Sequence, residues 1–270
     1  MRGMLTREQM QALIRSFPSM FSRVIWSGYR VDVLMRKTAL VCGVGGLGAV
    51  VAEILARTGV KKIIIVDRDV VAEENFNRLG FTRQEVGRPK AEAVGRRLLA
   101  IRNSPDVPER FKLEVEAYWA DVLEMPNLWK LIAKSDVVFT CFDNVAARLE
   151  VNRYAVQLGK PLFDGGTSMD GLRGSVRVVI PGKTPCLRCY NPPDAFITPE
   201  EPASELGRCD ASLATTMCIV ACLQADQAFK YMLGYGRIAP LIRVSLDEGV
   251  HVIPVYDVKR RPDCEVCRGL

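Results

Sequence analysis

Two hydrophobic periods alternate along this chain, and the points where they switch mark its elements. KTALVC (37–42) and KKIIIVD (61–67) are short continuous apolar runs, as in strands buried on both faces. Between them lie the loop GVGGLG (43–48) and AVVAEILART (49–58), whose apolar residues recur at helical spacing up to Gly59. Strand, glycine loop, helix and strand in this order make the unit of a parallel, doubly wound sheet. Farther on, 90–101 reads as a helix, FKLEVEAY and DVVFTCF as strands, VAARLEVNRYAVQLG as a helix and PLFDGG as a strand. RGSVRVVIPG (173–182) alternates as an exposed antiparallel strand does. The Pro- and Glu-rich stretch 190–208 reads as a surface loop. A helix over 212–233 stops at Gly234, and two short strands, LIRVSL and HVIPVY, lead into a basic tail.

An amphipathic arm precedes this pattern. Thr6 and Gln9 fit a capping box, Met10, Leu13, Ile14 and Phe17 share one helical face, and Pro18 ends the run. The expected division is a helical arm over 1–36, lying against another surface such as a second subunit, and one domain over 37–270. The predicted class is α/β, a doubly wound, mainly parallel sheet with a Rossmann-like nucleotide site. No internal repeat interrupts it.

Composition narrows the classes. Hydrophobic residues make up 49% of the 270, so a folded core is expected. A net charge of +6 with no dense Lys/Arg block gives no reason to expect a nucleic-acid partner. The most apolar stretch, 211–225, is too short and polar to span a membrane. Arg7, Glu8 and Arg15 interrupt the N-terminal stretch, so no secretion signal is expected and a cytoplasmic protein is. Nine cysteines in such a chain point to thiol or metal chemistry rather than a disulfide framework.

Gly43, Gly45 and Gly48 match G-x-G-x-x-G between a strand and a helix, with Gly46 inside the loop. Gly43 supplies the tight turn, Gly45 lets phosphates approach the backbone, and Gly48 lets helix and sheet pack closely. Unpaired N–H groups at the helix start favour phosphate charge. Asp67 ends the next strand, placed to accept from ribose hydroxyls. The fingerprint does not by itself separate NAD from ATP. NFNRLGFTRQEVGRPK adds Asn75, Arg78 and Lys90, an amide and two cations suited to a triphosphate and to the charge built up during its transfer. Asp143, past a third strand, is placed to hold Mg²⁺. Asn144 either caps the following helix or orients Asp143. Asp69 reads as a turn residue and a competing carboxylate.

Cys186 and Cys189 form one C-x-x-C pair and Cys264 and Cys267 another. Four thiolates suit a closed tetrahedral Zn²⁺ that ties the tail to the middle of the chain. A redox dithiol is the alternative for either pair. Cys42, Cys141, Cys218 and Cys222 lie in apolar runs and read as core cysteines. Cys209 follows Arg208 just ahead of a helix, where a thiol pKa falls, and is the candidate nucleophile; a partly buried loop cysteine is the other reading. The single histidine, His251, has no evident cysteine partner.

Together GVGGLG, VDRD, NFNR, GRPKA, CFDN, CLRC, RCDASLATTM and CEVC resemble the ubiquitin-activating-like family, which includes the adenylyltransferases of molybdopterin-synthase and thiamine-pathway sulfur carriers. The resemblance runs from FSR at Arg23 to CEVC. It implies Mg-ATP-dependent adenylation of the C-terminal glycine carboxylate of a small ubiquitin-like protein. By that resemblance Asp67 holds the ribose, Asn75, Arg78 and Lys90 surround the phosphates, Asp143 binds magnesium and the paired C-x-x-C motifs bind structural zinc. Arg23 looks like the arginine that reaches a neighbouring subunit's ATP site, which implies a homodimer. NFNRLGF and CDASLATTM resemble most the compact activators of ubiquitin-fold modifiers, in which the cysteine matching Cys209 takes the modifier as a thioester. A conjugating enzyme or a sulfur donor would act downstream. The alternatives are a sulfur-carrier adenylyltransferase that stops at the acyl-adenylate, a NAD-dependent oxidoreductase and a non-catalytic scaffold with a retained nucleotide pocket.

Overall fold

The structure is a computed structural model that describes residues 4–191 and 212–270. Its elements run in the order α1 (Arg7–Ser16), α2 (Ser22–Trp26), α3 (Val31–Leu34), β1 (Thr38–Cys42), α4 (Gly48–Thr58), β2 (Lys62–Asp67), α5 (Lys90–Arg102) and β3 (Glu114–Trp119). There follow α6 (Leu128–Ala133), β4 (Val137–Thr140), α7 (Val145–Gln157), β5 (Leu162–Thr167), β6 (Arg173–Val179), α8 (Leu187–Tyr190), α9 (Ala214–Leu233), β7 (Leu241–Ser245) and β8 (His251–Val255). The strands form one eight-stranded sheet in the order β3-β2-β1-β4-β5-β6-β7-β8. From β3 to β5 every pairing is parallel, and from β5 to β8 every pairing is antiparallel.

Cover on both faces explains why β1, β2 and β4 are apolar between their ends. Ala39, Val41, Ile63, Ile65, Val137 and Phe139 point to one face, where α4, α5 and α9 cover them. Leu40, Cys42, Ile64, Val66 and Val138 point to the other, under α6 and α7. Each such side chain taken from water contributes about 1.5–3 kcal/mol. β3, at one edge, has no fully buried residue.

Three expectations change. The apolar face of α1 does not wait for a second subunit. Met10, Leu13, Ile14 and Phe17 pack on Leu5, Phe21, Ile25 and Val31, and Phe17 lies 4.9 Å from Phe111 between ring centroids. Buried Arg102 in α5 sits over the Phe21 ring and donates to the carbonyls of Ala56, Val60 and Phe111, which ties this cluster to the body. Second, β6 is an internal strand flanked by β5 and β7, not an exposed one. Its alternation reflects one face under α9 and another carrying Arg173, Ser175 and Arg177. Third, Tyr190 closes a short helix. The stretch 192–208 and Cys209 lie outside the described residues.

Candidate active site

The chain turns back on itself between β1 and β4. β2 and β3 lie on one side of β1, and the next strand, β4, is added on the other. In open parallel sheets, ligands bind past the carboxyl ends of the strands at such a switch point. A cavity of about 460 Å³ opens there. Gly43, Gly45, Gly46, Asp67, Asn75, Arg78, Lys90 and Asp143 all line it; Gly48 lies just behind, at the first turn of α4.

The glycine loop has a reason for each residue. Gly43 has φ +82°, and a Cβ there would come within 2.9 Å of the Cys141 carbonyl. A Cβ on Gly48 would sit 1.8 Å from the Gly43 carbonyl oxygen, so the turn closes only on glycine. A Cβ on Gly46 would strike the Met217 sulfur at 2.2 Å. Around the Cβ position of Gly45 there is no atom within 4 Å, so its backbone faces open space. Next to an α4 start with no side-chain cap, such a surface accepts anionic oxygens.

Asp67 is buried beneath this loop. Its Oδ2 accepts from the Val44 N–H at 2.6 Å and its Oδ1 from the Asp69 N–H at 2.8 Å. Burial raises its pKa, and the two amides and Lys90 oppose the rise. Lys90, the first residue of α5, is buried and donates to Asp69 Oδ2 at 2.8 Å. Asp69 is thus the residue that aims Lys90, not a competitor for the ligand. Asn75 accepts the Ala72 N–H on its Oδ1, and its Nδ2 has no partner among the described residues. Arg78 donates from Nε to Asn77, and its two terminal nitrogens are unpaired among the described residues. Asn144 caps α7 by accepting the Ala147 N–H at 2.9 Å, which leaves exposed Asp143 alone at the cavity rim.

Some lining residues had not been singled out. Asp121, just past β3, accepts from Arg68 at 2.8 Å. The Leu123 N–H and then Arg68 hold its pKa below the usual carboxylate range. Asp67 ends β2, and Asp121 and Asp143 follow β3 and β4, so position at the end of a parallel strand was the available signal. Arg148 of α7 also lines the cavity. It donates to the carbonyls of Phe142 and Gly165 and pairs with fully buried Asp164 of β5, which also takes Thr140 Oγ1 at 2.8 Å and Arg177 at 3.1 Å. Cys141 packs on the core, with its sulfur 3.6 Å from Gln224 Oε1, and also lines the cavity; burial pushes its thiol up to about 12. Cys222 is exposed on α9 rather than in the core.

Arg23 and His251 lie elsewhere. Arg23 is exposed on α2, outside the lining of its own chain's cavity. His251 is exposed on β8, four strands from β4, or about 19 Å at the usual strand spacing.

The four cysteines of the two C-x-x-C motifs converge as a second centre. Their sulfurs all lie within 4.8 Å of one another, with Cys186–Cys264 at 3.6 Å, Cys189–Cys267 at 3.4 Å and Cys186–Cys189 at 3.9 Å. A tetrahedron with Zn–S of about 2.3 Å has edges of about 3.8 Å, so the donor set fits zinc. The Leu187 N–H bonded to buried Asn152, and Arg188 paired with Glu265 at 2.6 Å, position the two halves. Among the described residues no helix is long and apolar enough to cross a membrane.

Residues 22–266 match the model of the ThiF family. The chain belongs to the ThiF family. A rice protein named ubiquitin-like modifier-activating enzyme 5 is 33% identical over 83% of this ThiF-family chain, and one of the same name from Bombyx mori is 32% identical over 87%. The chain spans only 54% and 60% of the length of these two relatives. Among solved structures, Escherichia coli MccB with ATP superposes with a TM-score of 0.70 at 22% identity, covering 97% of this chain and 82% of MccB. PaaA superposes with a TM-score of 0.66 at 19% identity, covering 93% and 84%. At these identities the likeness bears on the fold, an eight-stranded ThiF-type α/β sheet.

Proposed function

We propose that this chain adenylates the C-terminal glycine carboxylate of a small ubiquitin-like protein, with Mg-ATP as co-substrate and pyrophosphate as leaving group. The observation that carries the reading is the convergence of Gly45, Asp67, Asn75, Arg78, Lys90 and Asp143 on one cavity at the switch point. The names of the rice and silkworm relatives support it, as does the ATP bound in MccB.

The attacking carboxylate is already anionic, so no general base is needed. The tasks are positioning and charge stabilisation. Asp67 takes the ribose, the Gly45 backbone and the α4 N-terminus take phosphate oxygens, and Asn75, Arg78 and Lys90 offset charge that shifts to the leaving pyrophosphate. Five carboxylates (Asp67, Asp69, Glu74, Asp121, Asp143) line the cavity against four cations (Arg68, Arg78, Lys90, Arg148). A triphosphate entering it therefore needs further positive charge, which Mg²⁺ on Asp143 supplies when bound. Zinc on Cys186, Cys189, Cys264 and Cys267 is structural, because four thiolates leave no open position.

Arg23 completes the site of a second copy in a homodimer. Exposed Met20 and Trp26 beside it give that contact an apolar surface. Residues 1–36 act as the arm and 37–270 as the adenylation domain. Cys209 then attacks the acyl-adenylate, the thiol proton leaves, the carbon–sulfur bond forms and AMP departs.

Incubation with ATP, Mg²⁺ and candidate carriers ending in Gly-Gly tests both steps. Carrier-dependent ATP–pyrophosphate exchange is expected. Intact mass should show a thiol-sensitive adduct in the wild type that Cys209→Ala loses while keeping exchange. Absence of exchange with every carrier refutes adenylation. Exchange without any adduct makes the acyl-adenylate the end point.

A further inference from the structure

The basic tail noted in the sequence is absorbed neither by the nucleotide cavity nor by the cysteine centre. Residues 258–262 and 267–269, with Lys183 in the turn after β6, line a second, open cavity of about 440 Å³. It shares no residue with the first. Lys183, Lys259, Arg260, Arg261 and Arg268 line it, and no carboxylate does among the described residues. Among the described residues, Asp263 holds Arg261 at 2.8 Å and Glu265 holds Arg188, whereas Asp257, just before the lining segment, makes no ion pair. Lys183, Lys259, Arg260 and Arg268 make no ion pair among the described residues.

A second observation is independent of this count. Arg260 Nη1 is shielded from solvent and has no hydrogen-bond acceptor among the described residues. A buried guanidinium nitrogen without an acceptor is costly, and a bound oxyanion toward which the Arg260 side chain turns removes the cost. Cys267 lies in the wall of the cavity and in the four-cysteine cluster, so the centre that fixes the tail also holds the cations together.

We infer that this cavity binds a diphosphate-bearing anion through Lys183, Lys259, Arg260 and Arg268. The charge sets the class. A phosphomonoester carries about −1.5 to −2 at neutral pH, well short of four unpaired cations, and a diphosphate, with its further ionised oxygen, comes closer to balancing them. The anion is free pyrophosphate or the diphosphate end of a larger molecule.

Calorimetric titration with inorganic pyrophosphate tests this, first on the wild type and then on Lys90→Ala, which removes a cation from the nucleotide cavity only. Binding should persist in Lys90→Ala and weaken at least about tenfold when Arg260→Gln or Lys183→Gln is added, as for loss of a charged hydrogen bond. Should one of these variants fail to fold, the other carries the test, with zinc content and melting temperature as the check. ADP titrated into Lys90→Ala with and without Arg260→Gln separates the sources: a component lost with Arg260→Gln and as tight as pyrophosphate assigns recognition to a diphosphate end, and the absence of such a component assigns it to the free anion. Sulfate at matched ionic strength should not displace pyrophosphate. Equal displacement by sulfate, or pyrophosphate binding unchanged in both tail variants, overturns the inference. This test does not depend on the adenylation proposal, because tail variants are compared at fixed Lys90→Ala.

Discussion

Lys90→Ala is expected to lower carrier-dependent ATP–pyrophosphate exchange by about 10²–10³-fold, the usual loss when one preorganised charge partner of a transition state is removed. The size follows from where Lys90 sits. Its ammonium is buried, reaches the cavity from the first position of α5 and is held by Asp69 at 2.8 Å. Asp69 is itself fixed, because its N–H is bonded to Asp67. The cation is therefore in place before nucleotide binds and need not reorganise as charge moves to the leaving group. Its removal does further harm, since Asp69, left with only a long contact to Arg68 at 3.8 Å, then faces a polyanion. If Lys90 acts on developing charge, kcat and kcat/KM should fall together; a rise in KM alone would mean uniform binding of ATP. Unchanged exchange at saturating ATP removes Lys90 from the mechanism. Asp69→Asn should give a smaller loss in the same direction, because it loosens Lys90 without deleting it.

The chain of contacts behind that expectation shows what a sequence can and cannot display. Local periodicity locates β1, α4, β2, β4 and α9 because each depends on neighbouring residues alone. The glycine loop and Asp67 are legible for the same reason, since the motif and its acid lie within one strand–helix–strand unit. Asp69 and Lys90 are 21 residues apart, and Arg148 and Asp164 are 16 apart on a helix and a strand. Nothing in either local pattern announces that they meet. Cys141 reads as a core residue because its run is apolar, and it does pack on the core with its thiol against Gln224, but the run leaves the sheet before reaching it, so the residue also lines the cavity. β6 looks exposed because its alternation is clear, yet β7, which covers its far side, arrives only after α9. The arm misleads similarly. Its apolar face is obvious, but its partner Phe111 lies beyond α5 and is placed by the tertiary fold.

Removal of the metal from the four-cysteine centre is expected to lower the melting temperature by about 10 °C. The centre links positions 78 residues apart, Cys186 to Cys264 and Cys189 to Cys267. Treated as a cross-link, closing a loop of that length stabilises by about 4.5 kcal/mol through the entropy of the unfolded chain. For a chain of this size each kcal/mol is worth about 2–4 °C. The effect is not confined to the tail, because Cys186, Cys264 and Cys267 pack in the same cluster as Leu162, Val179, Val151 and Ala155. Freed from the metal, the tail withdraws that cover from the sheet face beneath α7, the helix whose Arg148 lines the nucleotide cavity. Metal analysis under reducing conditions should find one zinc per chain, lost with chelator and in Cys264→Ser but kept in Cys218→Ser, whose thiol lies outside the cluster. An unaltered melting temperature with the zinc gone would mean that packing alone holds the tail, and that the four sulfurs meet for another chemistry.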